Sequence, residues 1–356
     1  GAGEIGSGPS DGPIHQQLCP RLESELKAAR FRHTCAPTSG MRDTLGRIGR
    51  DPLSLGIVPL DLLAHETRGG TELRDITILT RNDARICLFL ATRSPGVSTF
   101  GEVAARAAKL RFILPPAGSA AATTFAYLQS LDPDGLGAAR SVSFAPSAEE
   151  AVKQAMSADD IVTLISEWPD TDSPRLRAVL DGDGHFVAFA DRTLMRQELL
   201  GRRVYLPVEV EVAAATWLTA SRKVATICSP VVVIAAAQSA VPERDRQDHL
   251  DLLATVETIR PEVMVPRDGS IARFVRNSRD LTGASVEELL RLSEEARVKA
   301  KPYVEKAIIA GKQAVEAAKP HVEKAKEVGA EALAKAREEW KHLMDRFRRD
   351  TAPGKE

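Results

Sequence analysis

The chain has 356 residues, 43% hydrophobic and 27% charged, with a net charge of −1, a globular composition able to bury one large core or two moderate ones. This balance excludes the basic excess of nucleic-acid binders, and aromatics at 4% argue against a sugar- or base-stacking site. No run of about 18 apolar residues is present, so no membrane span is expected. The start at Gly1, without Met, is the one expected of a processed or truncated chain, with room for a signal peptide or N-terminal anchor before it.

In chain order, short apolar runs alternate with amphipathic ones. A strand at Ile5 ends in Gly6-Ser7-Gly8 and leads to a helix over 14–30. A strand at 31–35 leads through Thr38-Ser39-Gly40 to a helix over 41–50, and a strand at 53–58 leads through Pro59 to a helix over 60–66. Runs at 76–80 and 86–91 read as buried strands. After Arg93–Gly96 the pattern resumes: helix 98–108, strand 110–114, helix 120–130, strand 141–144, helix 147–157, strand 161–165, helix 173–180, strand 185–189 and helix 191–200. Val224–Ala237 is a long apolar strand region expected to return to the first sheet as a central strand, before a helix over 243–258. Alternating units of this kind predict an α/β fold with mostly parallel sheets covered by helices. The expected division is a discontinuous first lobe (1–95 and 222–265), a second lobe (96–221), a linker (266–284) and a helical tail (285–350).

Two glycine-bearing turns stand out, Ile5–Gly12 and Leu114–Ser119. In each, a strand ends in small residues and a helix begins, presenting free N–H groups and the positive end of the helix dipole to an anionic ligand. The literal GxGxxG at Gly1–Gly6 has no strand before it, so no nucleotide cofactor is expected. Cys19, Cys35, Cys87 and Cys228 lack metal-like spacing; buried thiols are the expectation, and one disulfide between Cys19 and Cys35 is the alternative. No nucleophile–base–orienter set is visible among the seven histidines and their neighbours, so neither enzyme activity nor a metal is expected.

The segments EIGSG, TCAPTSGM, LSLGIVPLDLL, LRFILPPAGSAAATTFAYLQ and HFVAFADRTLMRQELLGRRVYLP, in that order, resemble the TAXI-type solute receptors of TRAP transporters, which have the type II periplasmic binding-protein fold. The resemblance covers about residues 4–262. It implies a periplasmic receptor, membrane-anchored in its native full-length form, that closes on a small solute and delivers it to membrane permease subunits. The first helix lacks the family's Tyr-rich start and reads Gly12-Pro13-Ile14-His15-Gln16; the usual Gly-Ser-Gly-Thr reads Gly118-Ser119-Ala120-Ala121. Both departures argue against glutamate-like solutes.

Candidate ligand contacts are Ser7, Gly8, Ser10, Thr38, Ser39, Gly118 and Ser119, all at strand carboxyl ends, where open α/β sheets bind ligands. His15 stands at the family's aromatic position. Glu167 and Trp168 follow strand 161–165 toward the expected cleft. Arg93, near the first crossing between lobes, has the fork geometry for a carboxylate. Each has a plainer reading as a cap, a core residue or a solvated ion pair.

From about Ser285 the chain becomes rich in Ala, Glu and Lys, and Ala300–Ala307 recurs as Ala318–Ala325, a period of 18 or five helical turns. This places Val304, Val315, Val322, Leu333, Trp340 and Phe347 along one line, flanked by Ala300, Ala307, Gly311, Ala318, Ala325, Gly329 and Ala336. Pro302 and Pro320 predict two bends or breaks. Residues 1–298 hold 30 Arg and 4 Lys whereas 299–341 hold 1 Arg and 9 Lys, which points to a separate origin for the tail. The narrow Ala-rich stripe suits packing on protein, ahead of a solvated spacer or a membrane-surface helix. A non-transport scaffold, docking a membrane complex through this tail, is the alternative function.

Overall fold

The computed structural model describes residues 1–80, 84–168, 171–264, 272, 278–328 and 330–351. Three parallel strands open the chain, in the order β2 (Arg32–Ala36), β1 (Ala2–Gly6), β3 (Leu55–Pro59). They are linked by α1 (Cys19–Ala28) and α2 (Met41–Arg50), and α3 (Leu60–Arg68) follows β3 directly. Pro20 has no N–H to give to the preceding turn. Before it the chain widens into a π-helical turn, Ile14–Leu18, closed by Cys19 N–H on the Ile14 carbonyl.

The spine is β13, Arg222–Ala236, 15 residues long. Its second half pairs antiparallel with β3 and with β4 (Ile76–Thr80), as expected of a strand returning to the first sheet. Its first half runs on into the other half of the molecule and pairs antiparallel with β5 (Arg85–Thr92) and β12 (Leu206–Ala213). From β5 the sheet continues through β8 (Ile161–Glu167) to the parallel strands β6 (Arg111–Leu114) and β7 (Ser141–Phe144). Parallel triplets thus form both ends, and antiparallel pairs through β13 and β5 join them.

Alternation along β5 divides the core. Leu88 and Leu90 enter one cluster with α3, α4 (Phe100–Ala105) and α5 (Ala120–Leu131); Phe89 and Ala91 enter the other with α1, α7 (Pro174–Asp181) and α9 (Arg246–Thr258). Helices on both faces of a curled sheet, followed by a helical C-terminal region, give the α/β class expected from the sequence.

Several local expectations change. The helix over 191–200 shortens to Arg192–Met195, and the chain then turns back as a two-stranded hairpin at Leu200-Gly201, both in the left-handed region at φ 49° and 75°. The strand at 185–189 shortens to His185–Phe186. β12 forms where no element is expected, its buried Val208, Val210 and Val212 alternating with Glu209 and Glu211.

The cysteines are not free thiols. Cys19–Cys35 ties α1 to β2, and Cys87–Cys228 joins residues directly opposite in β5 and β13. Burial made the thiols look like plain hydrophobes; strand register, invisible in spacing, brings the second pair together.

The tail is a helix of 46 residues, Gly283–Val328, followed by a return helix, Ala330–Thr351. The long helix runs unbroken through Pro302 and Pro320, against the expected breaks. Pro320 is exposed, so its ring meets solvent, and packing along both halves of the helix offsets the lost hydrogen bonds. The first half lies on α4 and the second on the return helix, with His321 Nδ1 2.8 Å from Glu339 Oε2 and Gly311 against Met344. The expected stripe is corrected too. Ala310, Ala314 and Ala318 are buried while Val315 and Trp340 are exposed, because small residues let the two helices approach closely. Val304, Val322, Leu333 and the side chains of Ala307, Ala325 and Ala336 lie outside the described ones, as does Gly329.

Candidate functional site

A cavity of about 390 Å³ opens where the carboxyl ends of β1, β2, β3 and β8 meet the starts of α2 and α5. Its first wall comes from the turns after β1 and β2. Gly8 sits at φ 71°, a left-handed position that glycine takes without strain, and its N–H donates to Thr38 Oγ1 at 3.0 Å. Thr38 N–H returns a bond to the Gly8 carbonyl at 2.9 Å. Ser7 is fully buried, with Oγ 3.1 Å from the Ala36 carbonyl and 2.6 Å from His15 Nδ1. Thr44 Oγ1 lies 3.0 Å from Thr38 Oγ1. These hydroxyls therefore stitch the wall together and are largely committed within it.

Gly40 supplies no side-chain cap to α2, and the start of that helix, Gly40–Asp43, lines the cavity. Asp43, one turn in, accepts from Ser39 N–H at 2.9 Å and from Arg47 Nε at 3.0 Å. These bonds hold its carboxyl below the ordinary range, the Ser39 N–H contributing most.

The second wall is the start of α5. Gly118, at φ 85°, turns the chain so that Ser119 caps the helix, its Oγ accepting from Ala122 N–H at 3.2 Å. Ala120 and Thr123 line the cavity, while Ser119 lines a smaller adjoining pocket of about 140 Å³ with Ser166 and Arg175. Glu167, nearly buried, accepts from Ser173 Oγ at 2.5 Å and from Arg175 Nε at 3.0 Å. Ile14, Met41, Ile57, Val58, Leu62 and Ile86 complete an apolar floor.

Of the candidate contacts, Ser7, Gly8, Thr38, Ser39, Gly118 and Glu167 are brought together at this cavity. The other five are not among its lining residues. Ser119 caps α5. His15 holds Ser7 from behind, and Ser10 gives its carbonyl to Gln16 at 3.4 Å on the exposed turn. Arg93 lies past the far end of β5, roughly 20 Å along the strand from Ile86, with Nη1 2.9 Å from the Met156 carbonyl and Nε 3.6 Å from Asp159. Trp168 is buried in the core of the second face.

Sequence reasoning missed Asp43, Thr44, Glu66 and Thr123 in the lining, and also the group behind it. Asp61, at the start of α3, is buried; its Oδ2 accepts from Thr124 and from Tyr205, each at 3.0 Å, and its Oδ1 from Leu62 N–H at 2.9 Å. Burial pushes its carboxyl above the ordinary range and the Tyr205 phenol upward as well. An acid inside the apolar run Pro59-Leu60-Asp61-Leu62-Leu63 was the available signal.

Among the described residues no group of three or more His, Cys, Asp or Glu is placed to hold a metal, and no helix is long and apolar enough to cross a membrane. The sequence matches no family model and no curated protein. In architecture the chain is similar to a structure described as a periplasmic transporter (12% identity, TM-score 0.42, covering 86% of this chain and 96% of that one). It is similar also to the periplasmic binding protein BugD (13%, 0.41, 84% and 97%) and to the GluR0 ligand-binding core in complex with L-glutamate (10%, 0.39, 78% and 97%). The likeness is distant, and the fold rests on the strand order given above.

Proposed function

We propose that this chain is a solute receptor, and that the cavity between the start of α2 and the start of α5 is its binding site. The observation that supports this most is convergence: residues far apart in sequence, from both halves of the sheet, line one pocket of a size suited to a small molecule. We take the expected lobes, 1–95 with 222–265 and 96–221, with β5 and the first part of β13 assigned to the second, whose strands they pair with. Closure by rotation where β13 changes partner from β5 to β3, at Pro230–Val231, is part of the proposal.

The solute is proposed to have an apolar body and one hydrogen-bond-accepting, anionic end. Each charged side chain lining the site is paired: Arg42 with Glu66, Asp43 with Arg47, which also bonds Glu4, and Glu167 with Arg175. The field that remains is that of the two helix starts, which favours an acceptor. The floor beneath is hydrocarbon. A branched or short-chain carboxylate fits this better than an amino acid, whose ammonium has no unpaired carboxylate to meet among those three.

Delivery to membrane permease subunits and a periplasmic location complete the reading, as the resemblance implies. Two disulfides support an oxidising compartment. The test is a thermal-shift panel of carboxylates, amino acids and lipid-like compounds, since a solute that binds the folded chain raises its melting temperature. No shift from any member, with no molecule carried through purification, would remove the reading's main support.

The scaffold alternative also draws on a specific observation. The contact between α3 and α5 buries Asp61 with Thr124, and rotation of the halves would have to open it. Small-angle scattering with and without a stabilising carboxylate separates the two readings: compaction supports a receptor, and an unchanged profile supports a fixed scaffold.

A further inference from the structure

Strands β12 and β13 form a hairpin whose ladder ends at the pair Ala213 and Arg222. From Ala213 to Ser221 the chain carries no charged residue. Its tip is a closed turn. Thr216 N–H donates to the Thr219 carbonyl at 2.8 Å, and Thr216 Oγ1 accepts from the N–H groups of Leu218 and Thr219 at 3.2 and 3.0 Å. The two threonine hydroxyls also meet at 2.8 Å. The turn consumes its own polar groups and holds the side chains between them outward.

Those side chains are Trp217 and Leu218, 92% and 72% exposed, the two highest values among large apolar residues described. The other two tryptophans are 3% and 38% exposed, so the chain treats this one differently. Directly behind the tip stand Arg222 and Lys223, both exposed, with Glu211 opposite Lys223, leaving a collar with one net positive charge.

The shape decides what such a tip can meet. Two side chains on a convex turn offer far less than the roughly 800 Å² per partner of a stable protein interface. A bilayer needs no matching surface. Indole prefers the headgroup level, with its ring in the acyl boundary and its N–H toward water, and leucine prefers the hydrocarbon just beneath. A basic collar behind an uncharged tip then lies at the depth of lipid phosphates. We infer that the Trp217–Leu218 tip is a membrane-contact element, which inserts into the interface of a lipid surface carrying anionic headgroups.

The experiment is co-sedimentation of the full chain with vesicles of equal parts phosphatidylcholine and phosphatidylglycerol. The wild type is expected to sediment with them. The double variant Trp217→Ser, Leu218→Ser is expected to lose about tenfold or more in partitioning, with an unchanged melting temperature. Arg222→Gln with Lys223→Gln is expected to remove the dependence on phosphatidylglycerol. A second measurement reads the tip itself: in Trp340→Phe, where Trp168 is buried, brominated lipid quenches the Trp217 emission. The inference is overturned if the wild type does not sediment, if the double variant sediments equally, or if brominated lipid leaves the emission unchanged. It is overturned equally if the double variant instead loses a dimer that the wild type forms, which would assign the tip to contact between copies.

Discussion

Where α3 meets α5 the contact is sealed. Leu60, Leu63, Tyr127 and Leu128 are buried, the His65 and Tyr127 rings lie 6.0 Å apart, and a desolvated Asp61 is satisfied only by groups from both sides. Where the long tail helix meets α4 the backbones come close, and Leu290 of the tail helix enters the same core cluster as Phe100 and Val103. A Cβ on Gly101 would lie 1.8 Å from the Ser293 carbonyl oxygen, Gly101 N–H donates to Ser293 Oγ at 2.9 Å, and the flanking ion pairs of Arg192 with Glu287 and Glu294 are largely exposed. The first junction is specified by burial of a polar group, the second by the absence of a side chain. The first resists movement of the two halves; the second draws the tail helix into the core through Leu290.

The largest effect expected follows from the sealed junction. Asp61→Ala leaves two hydroxyls and an N–H buried without an acceptor, at about 1–3 kcal/mol each, so a loss on the order of 3 kcal/mol or more is expected in chemical denaturation. A loss under about 0.5 kcal/mol, the range of an ordinary surface substitution, would mean that the junction is not sealed. The tail junction is tested by Gly101→Leu, which forces the tail helix off α4. Overpacking of this kind costs roughly 1–3 kcal/mol, and the tail is expected to become sensitive to limited proteolysis while the α/β body resists it.

A smaller effect distinguishes the junctions by pH. Because burial holds Asp61 above the ordinary carboxylate range, the folded chain binds a proton there more tightly than the unfolded chain does. That contribution to stability is complete below the unfolded value, near pH 4, and falls as pH rises through the raised folded value. Asp61→Asn is expected to flatten this decline between acid and neutral pH, and equal slopes in the two proteins contradict it. Least of all is expected from Arg192→Gln: a barely altered melting temperature, with the remaining difference removed by salt.

The same contrast explains what could be read in advance. Helix α2 falls at Met41–Arg50 as its sequence indicates, because an apolar face recurs between a glycine and an extended Asp51. Strand β6 likewise falls in its expected run, with Phe112 and Leu114 buried and Arg111 exposed. Periodicity reports which face is buried, and these elements have one buried face. It does not report partners. The Cys87–Cys228 pair depends on strand register across 141 residues, and the Asp61 cluster depends on Thr124 and Tyr205 arriving from elsewhere in the chain. In the tail, valine was the obvious candidate for the buried line, but close helix approach selects alanine at 310, 314 and 318. At the site, the small residues around Ser7, Thr38 and Gly118 were legible as strand-end turns. The apolar floor was not, since Ile57 and Val58 look like any buried strand.

The central claim is that the cavity beside α2 and α5 holds a solute. Native mass spectrometry of the purified chain, run beside Thr123→Trp, tests it most directly, because an indole at that lining position fills the cavity from a partly exposed helical turn. The account predicts a small bound species on the wild type, either carried through purification or acquired from an added carboxylate, and its absence from the variant at equal fold stability. A wild type that stays empty throughout the panel, or a variant that binds the same species equally well, would contradict it.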